Sequence, residues 1–402
     1  GTSNYSDILK GNSDKNIING LGGHDTIYGI GGENTLYGGT GNDTIYTATS
    51  KVAGQRGDVV YGGQGTDTLV GSFNKDFLIG GEEENNADVE TDWIDYSNLV
   101  LGTNDYGISV NLQQTINFTD NTDRTYLDGN YSQVFRLDTN GANTLNFDYI
   151  SQIENITGSS GDDTFTGNTS QNSILAGAGD DIIYYTRGLD YYDGGNHTTS
   201  SGQGSGTPSV GGGDWISLAK ETTTTVNFDL YNSSVGANIT NSSATVTNIE
   251  NIIGYNSVQA TTGWGTDSNN TFVMYAGNDS IIGRQGNDVY DLGDGNDAAF
   301  TSYGNDTVIG GAGIDRLDYT NLYSSANQAN IIILTSQDLN GDGDTADTNE
   351  SVTTSSITVQ GLATLADGTY TFFKIRDGRT TFFDYLYQES DGTSDIEIFY
   401  LT

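Results

Sequence analysis

Aliphatic residues recur every nine positions along the opening stretch, and each follows an acid or an amide by two residues. Written in nines from Thr2 to Tyr46, the eighth positions read Leu9, Ile18, Ile27, Leu36 and Ile45. The sixth positions read Asp7, Asn16, Asp25, Asn34 and Asp43. Glycine-rich leads such as Gly38-Gly39-Thr40-Gly41 separate the aliphatics, so the pattern predicts short strands joined by tight turns. No stretch carries a helical moment with caps. If one coil uses two nonapeptides, Asp7, Asp25 and Asp43 line one edge and Asn16 and Asn34 the other. A calcium row on one edge and an asparagine ladder on the opposite one are then expected.

The pattern returns three more times. A second run carries Asp58, Asp67 and Asp76, paired with Val60, Leu69 and Leu78. A third, Gly158–Asp193, has Asp163, Asn172, Asp181 and Asp190 at the sixth position. The fourth, Gly265–Asp318, reads Asn270, Asp279, Asp288, Asp297, Asp306 and Asp315, which predicts metal on both edges there. Strand-rich segments lie between the runs. Two of them open alike, at Asp92-Trp93-Ile94 and Asp214-Trp215-Ile216, and close alike, at Ile153-Glu154-Asn155-Ile156 and Ile249-Glu250-Asn251-Ile252. The expected division is 1–91, 92–157, 158–193, 194–264, 265–318 and 319–402. The inserts are expected to continue the solenoid, because the register resumes at once after Gly158. Gly194–Gly213 reads as a surface loop, and Tyr370–Tyr387 as a hairpin around Asp377-Gly378.

Composition agrees with a stacked solenoid. Apolar residues make up 34%, and there are 56 glycines against the single Pro208. A fold in which each repeat buries one small aliphatic against its neighbours needs no large common core. The formal charge is −39, from 53 acids against 14 bases, and Asp far outnumbers Glu. Asp in glycine loops is the composition of hard-cation sites, and without a cation such charge repels itself. Metal is therefore expected to fold the chain. With no basic patch, a nucleic-acid partner is disfavoured. No cysteine is present, which excludes disulfides and thiolate sites. The longest apolar runs, such as Ile331–Leu334, are too short to span a bilayer.

The runs resemble the repeats-in-toxin (RTX, haemolysin-type calcium-binding) family, most specifically at Gly38–Tyr46, Gly62–Val70, Gly283–Asp291 and Gly310–Asp318. The resemblance implies an all-β fold, a right-handed parallel β-roll solenoid with two nonapeptides per coil. It also implies Ca2+ held between coils by sixth-position Asp and loop carbonyls, and bacterial export by a type I pathway with an uncleaved C-terminal signal. Repeats forming most of the chain are similar in architecture to oscillin-like bacterial surface proteins. The expected ligands are Asp25, Asp43, Asp58, Asp67, Asp76, Asp163, Asp181, Asp190, Asp279, Asp288, Asp297, Asp306 and Asp315. Asn16, Asn34, Asn172 and Asn270 depart from the pattern and imply weak or absent sites. Thr2–Lys10 lacks the leading glycines, which puts Asp7 in doubt as a ligand.

Other residues add candidates. Asp338, Asn340, Asp342 and Asp344 have the spacing of the first half of an EF-hand-type loop, with Gly343 at its turn, and are read as a further calcium loop. Tyr28 and Tyr46, one coil apart, are expected to stack as a β-ladder, with a flat surface for sugar as the alternative. Trp93 and Trp215 sit at matching positions, which suggests a shared packing role. Only His24 and His197 are available for imidazole chemistry, and H-E-x-x-H and G-x-S-x-G are absent, so no enzyme is expected. The terminal Glu397-Ile398-Phe399-Tyr400-Leu401-Thr402 reads as a strand in preference to an export signal. The resulting expectation is a secreted, calcium-dependent structural protein of a bacterial surface layer, sheath or filament. Because repeat register begins at Thr2 without a polar cap, it is expected to self-assemble into an oligomer or polymer. The alternative is a polysaccharide-binding or polysaccharide-modifying protein of epimerase or lyase type, its cleft drawing on Arg136, Arg187, Arg316, Arg376 and Arg379.

Overall fold

A computed structural model describes residues 1–48, 56–81, 91–102, 105–118, 127, 129–138, 142–196, 213–219, 226–236, 244–254, 260–301, 306–311 and 315–318, and beyond these only the backbone of several strands. The described residues form strands and turns without a helix. They fall into two units, Gly1–Thr207 with Gly212–Asp214 and Ala244–Asn248, and Pro208–Gly211 with Trp215–Ser243 and Ile249–Thr402.

In the first unit the eighth-position aliphatics sit at the centres of three-residue strands, and the nonapeptides alternate between two parallel sheets. Sheet I stacks Ile8–Lys10, Thr26–Tyr28, Thr44–Tyr46, Thr68–Val70 and Trp93–Asp95, then Asn155–Thr157, Ser173–Leu175, Tyr191–Asp193 and Ala244–Thr247. Sheet II stacks Ile17–Gly22, Thr35–Thr40, Val59–Gln64 and Phe77–Ile79. Ile27, Leu36, Ile45, Val60, Leu69, Leu78 and Ile94 are fully buried between the two. Leu9 pairs with Ile27, and Ile27 with Ile45, so each coil spans eighteen residues, two nonapeptides, as expected for a β-roll.

The segment after Asp92 adds strands to sheet II. Gly107–Phe118, Gly129–Leu137 and Asn143–Ser151 form an antiparallel meander. Its last strand pairs in parallel with Phe77–Ile79 and its first with Thr164–Thr166, so the roll resumes on the meander's far side. Pairing of the first two strands slips between Val110 and Thr115, and such an irregularity bends a strand. A flat sheet would hold Phe118 several strand spacings of about 4.8 Å from Phe77. Their ring centroids are instead 5.0 Å apart, so the strand ends at Phe118 and Tyr131 bend back over the outer face of sheet II. There Val59, Tyr61, Phe77, Ile79, Leu127 and Tyr131 make a second apolar cluster, with Tyr37, Phe118 and Tyr149 against it. Phe77 is its centre, stacked on Tyr149 at 4.9 Å and edge-on to Tyr131 at 5.4 Å. Phe77→Ala is expected to cost about 3–5 kcal/mol by denaturant unfolding in calcium, the range for emptying a buried aromatic site.

The second unit repeats the plan. Asn227–Asp229, Thr262–Trp264, Ser280–Ile282, Ala298–Phe300 and Arg316–Asp318 stack in parallel on one side. Trp215–Ser217, Asn251–Ile253, Thr271–Val273, Val289–Asp291 and Thr307–Ile309 stack on the other. Tyr370–Arg376 and Phe383–Glu389 form the expected antiparallel hairpin, its second strand parallel to Thr307–Ile309. Ile398–Tyr400 lies parallel to Arg316–Asp318, so the terminal segment is a strand. Most of the loop expected at 194–213 and all of the Asp338, Asn340, Asp342 and Asp344 loop lie outside the described residues.

Candidate metal centres

Every turn between sheets delivers its sixth-position residue to the same place. Edge I denotes the turns that lead into sheet I, and edge II those that lead into sheet II. In most of these turns the backbone N–H of the sixth-position residue donates to the Oδ1 of its counterpart one coil on, while Asp92 donates to Glu154 Oε2. Along edge I, Asp7 donates to Asp25, Asp25 to Asp43, Asp43 to Asp67 and Asp67 to Asp92, at 2.7–2.8 Å. Along edge II, Asn16 donates to Asn34, Asn34 to Asp58, Asp58 to Asp76 and Asp76 to Asp148, at 2.7–3.0 Å. The same ladder links Asp163 to Asp181 and Asp181 to Asp214, and in the second unit Asp279 to Asp297, Asp297 to Asp315, and Asn270 to Asp288 to Asp306. One carboxylate oxygen is thus committed to the fold. The ladder also includes Asp92, Asp148 and Asp214, which the sequence reading left out. The signal was present: each precedes an apolar residue by two, as in Asp92-Trp93-Ile94.

The second oxygen separates the sites. Oδ2 of Asp25, Asp43, Asp181 and Asp297 is buried and accepts no hydrogen bond, in side chains that are at most 2% exposed. An ionised, buried carboxylate oxygen without a donor costs several kcal/mol, so these positions demand a cation or a proton. Burial pushes the Asp43 and Asp279 carboxyls up to about 6 and the Asp297 carboxyl up to about 8, the last helped by Asp279 and Asp315. Burial likewise raises Asp163 to about 7 and lifts Asp181 well above the carboxylate range, with Asp163 and Asp214 adding repulsion.

The turn backbone completes the cradle. The second and fourth positions adopt positive φ, 114° at Gly39 and 116° at Gly41, a region that favours glycine. A Cβ on the first-position glycine Gly38 would overlap both Asp43 Oδ2 and the Gly62 carbonyl of the next coil. Gly20 stands in the same relation to Asp25 and Gly38, and Gly62 to Asp67 and Gly80. Asn34 shows what this space accommodates. Its turn has positive φ at Ile30 and Gly32, and its Nδ2 donates to the carbonyls of Gly29 at 3.2 Å and Gly31 at 2.9 Å. With Asp in place of Asn, the donor is gone and those carbonyls join a carboxylate. Such oxygen-only sets suit Ca2+. Among the described residues no three acidic or imidazole side chains converge. The residues that would hold the ion are therefore sixth-position Asp from adjacent coils together with first- and third-position carbonyls, Gly20 and Gly22 with Asp25, Gly38 and Thr40 with Asp43.

Other carboxylates already have protein donors on Oδ2. Asp58 accepts from the Ala48 N–H at 2.8 Å, Asp76 from the Ser72 hydroxyl at 2.8 Å, and Asp148 from the Tyr96 hydroxyl at 3.0 Å. Asp163 accepts from the Ser159 N–H at 2.6 Å and Asp190 from the Tyr192 hydroxyl at 2.7 Å. Asp7 accepts from both the N–H and the hydroxyl of Thr2. Tyr96 is fully buried, and burial together with Asp148 raises its hydroxyl well above its ordinary range. Tyr96→Phe leaves Asp148 Oδ2 without its tyrosine donor and is expected to cost about 1–3 kcal/mol in urea unfolding.

The remaining candidates are spent on the scaffold. Tyr28 and Tyr46 stack at 4.7 Å with planes 10° apart, so each covers a face of the other, and Lys10 lies 5.0 Å over the Tyr28 ring. The stack is the in-register ladder; it offers ring edges, not a flat aromatic platform. His24 Nδ1 accepts the Asn42 N–H at 2.8 Å. Arg136 pairs with Asp105 at 3.4 Å and lies over the Phe73 ring at 3.7 Å, and Arg316 lies over Phe300. Trp93 and Trp215 hold equivalent positions, each opening its strand one residue after a ladder Asp, but Trp93 is half-buried in sheet I and Trp215 is buried, paired with Asn251. The histidine His197 and the arginines Arg376 and Arg379 have no described side chain.

The family model for the RTX calcium-binding nonapeptide repeat matches residues 2–33, 28–48, 52–85, 157–192, 264–299 and 300–318. No curated protein matches the chain.

Proposed function

This chain is an RTX calcium-binding nonapeptide-repeat protein, and from that premise we propose that it is an extracellular structural component of a bacterial surface layer, sheath or filament, folded and assembled by calcium. Proteins with such repeats are typically secreted by the type I route, and no helix of the described residues is long and apolar enough to cross a membrane. The observation that carries the reading is the recurrence along the coils of a buried carboxylate oxygen that accepts no hydrogen bond, at Asp25, Asp43, Asp181 and Asp297. They make the fold conditional on a cation that is scarce inside cells and abundant outside them. The ligands in this reading are Asp25, Asp43, Asp67, Asp181, Asp279, Asp288, Asp297, Asp306 and Asp315. The engagement of Arg136, Arg316 and His24 in structural contacts, and the mutual covering of Tyr28 and Tyr46, favour a scaffold over a polysaccharide-processing cleft.

Electron microscopy of the purified chain in calcium and then in excess chelator tests the proposal. Ordered filaments or sheets that dissolve on chelation are expected. Discrete monomers in saturating calcium would remove the assembly role and leave calcium-dependent folding intact.

A further inference from the structure

Along the first unit, the sixth-position residues differ in what satisfies their second side-chain atom, and the difference follows the edges. On edge I the first run is open: Asp25 and Asp43 each carry a buried Oδ2 that accepts no hydrogen bond. On edge II the same coils are closed. Asn16 Nδ2 donates to Asn12 Oδ1, Asn34 Nδ2 to two turn carbonyls, and the Oδ2 atoms of Asp58, Asp76 and Asp148 accept from Ala48, Ser72 and Tyr96. Beyond the antiparallel meander the relation reverses. Edge I is now closed, with Asn172 Nδ2 donating to the Glu154 carbonyl at 2.7 Å and Asp190 Oδ2 accepting from Tyr192. Edge II now holds Asp181, whose Oδ2 is buried and accepts no hydrogen bond.

We infer that calcium occupies only one edge of each run in this unit and changes from edge I to edge II across the meander, while the opposite edge is a metal-free spine closed by protein donors. The inference rests on reading the open carboxylates as calcium ligands, and it accounts for the absence of Asp58, Asp76, Asp163 and Asp190 from the ligand set, although they share the sixth position and the sequence pattern marks them as ligands.

The second residue of the turn adds a reason. It has positive φ in the open turns, 78° at Leu21, 114° at Gly39 and 118° at Gly177, and also at Ile30 in the turn that Asn34 closes with its own amide. In several other closed turns a polar second residue folds back on the sixth-position side chain. The N–H of Asn12 donates to Asn16 Oδ1 and that of Asn168 to Asn172 Oδ1, while Ser72 uses its hydroxyl on Asp76. On edge II beyond the meander, Ser159 closes Asp163 in the same way, so the open carboxylate of that edge is the one of Asp181. That fold-back is a local side-chain turn of the kind Ser and Asn favour, and it fills the space where a cation would meet the carboxylate. The meander marks the boundary between the two arrangements. It adds three strands to sheet II alone, between Phe77–Ile79 and Thr164–Thr166, and the turns keep alternating between the edges on both sides of it, so the residues of each turn decide which edge is open.

Counting bound calcium by native mass spectrometry of the full chain in calcium decides the matter, with two isosteric pairs. Asp43→Asn and Asp181→Asn are expected to lower the count by at least one ion each. Asp76→Asn and Asp190→Asn are expected to leave it unchanged. Asn keeps the Oδ1 ladder, and Asn16, Asn34 and Asn172 already serve on closed stretches, so these variants should fold; each pair tests the inference without the other. A lower count in Asp76→Asn or Asp190→Asn, with the β-sheet spectrum retained, overturns the one-edge assignment. An unchanged count in all four would instead remove the open carboxylates from the calcium sites altogether, and the inference with them.

Discussion

Mild acid is expected to stabilise this chain without calcium and to lose most of that effect in saturating calcium. Burial raises the Asp43 and Asp279 carboxyls to about 6, Asp163 to about 7 and Asp297 to about 8, from an ordinary 3.8. Between 3.8 and those values the folded chain binds more protons than the unfolded one. Stability of the calcium-free chain therefore falls as pH rises through that window and is recovered as pH is lowered toward 5. Each extra proton held on folding changes stability by about 1.4 kcal/mol per pH unit. A cation competes for the oxygens of Asp43, Asp279 and Asp297 and requires them ionised, so in saturating calcium their part of the fall disappears and the slope flattens across this window. Urea midpoints at pH 5, 6, 7 and 8, in metal-free buffer and in saturating calcium, check this. An equally steep fall in both would mean that the buried carboxylates are not where calcium acts.

Gly38→Val is expected to abolish calcium-driven folding of the first run. The first branch atom of any side chain at this position would overlap the Gly62 carbonyl and Asp43 Oδ2 at once, and both are fixed by the coil ladder. Relief requires separating two coils, which loses sheet pairing as well as the cation cradle. A cost of about 3 kcal/mol or more is in line with strain at such sites. It corresponds to a calcium midpoint shifted on the order of 100-fold. Gly129→Ala is the control, since a Cβ there meets only Tyr131 Cε2 at 3.6 Å. It should stay within about 0.5 kcal/mol of the parent. Equal effects of the two would show that glycine in this chain serves turn flexibility in general and not the metal cradle.

Much of this architecture was legible in the residues. The nine-residue recurrence of Ile27, Leu36 and Ile45 gave the strand centres, and the eighteen-residue recurrence of Asp25 and Asp43 gave the coil and its edge. Both depend only on local spacing, which a repeat converts directly into position. The asparagine ladder of Asn16 and Asn34 was legible for the same reason. What closes Asp58, Asp76 and Asp148 was not. Their donors, Ala48, Ser72 and Tyr96, come from turn conformation and from a residue 52 positions away in the chain, which spacing does not encode. Position two held a clue, a polar residue in place of glycine at Ser72 and Asn168. The outer cluster around Phe77 was also hidden, because an apolar residue at an outward-facing position reads like any strand residue until the folded-back hairpin covers it.

The most direct test of calcium as the folding ligand is a far-UV circular dichroism titration of the metal-free full-length chain at pH 7.5, with Ca2+ and in parallel with Mg2+. A cooperative gain of β-sheet signal in Ca2+, reversed by chelator and absent in Mg2+, is the predicted result, since Mg2+ gives up its water shell reluctantly for carbonyl-rich cages. A full β-sheet spectrum before any calcium is added, unchanged by its addition, would contradict the account.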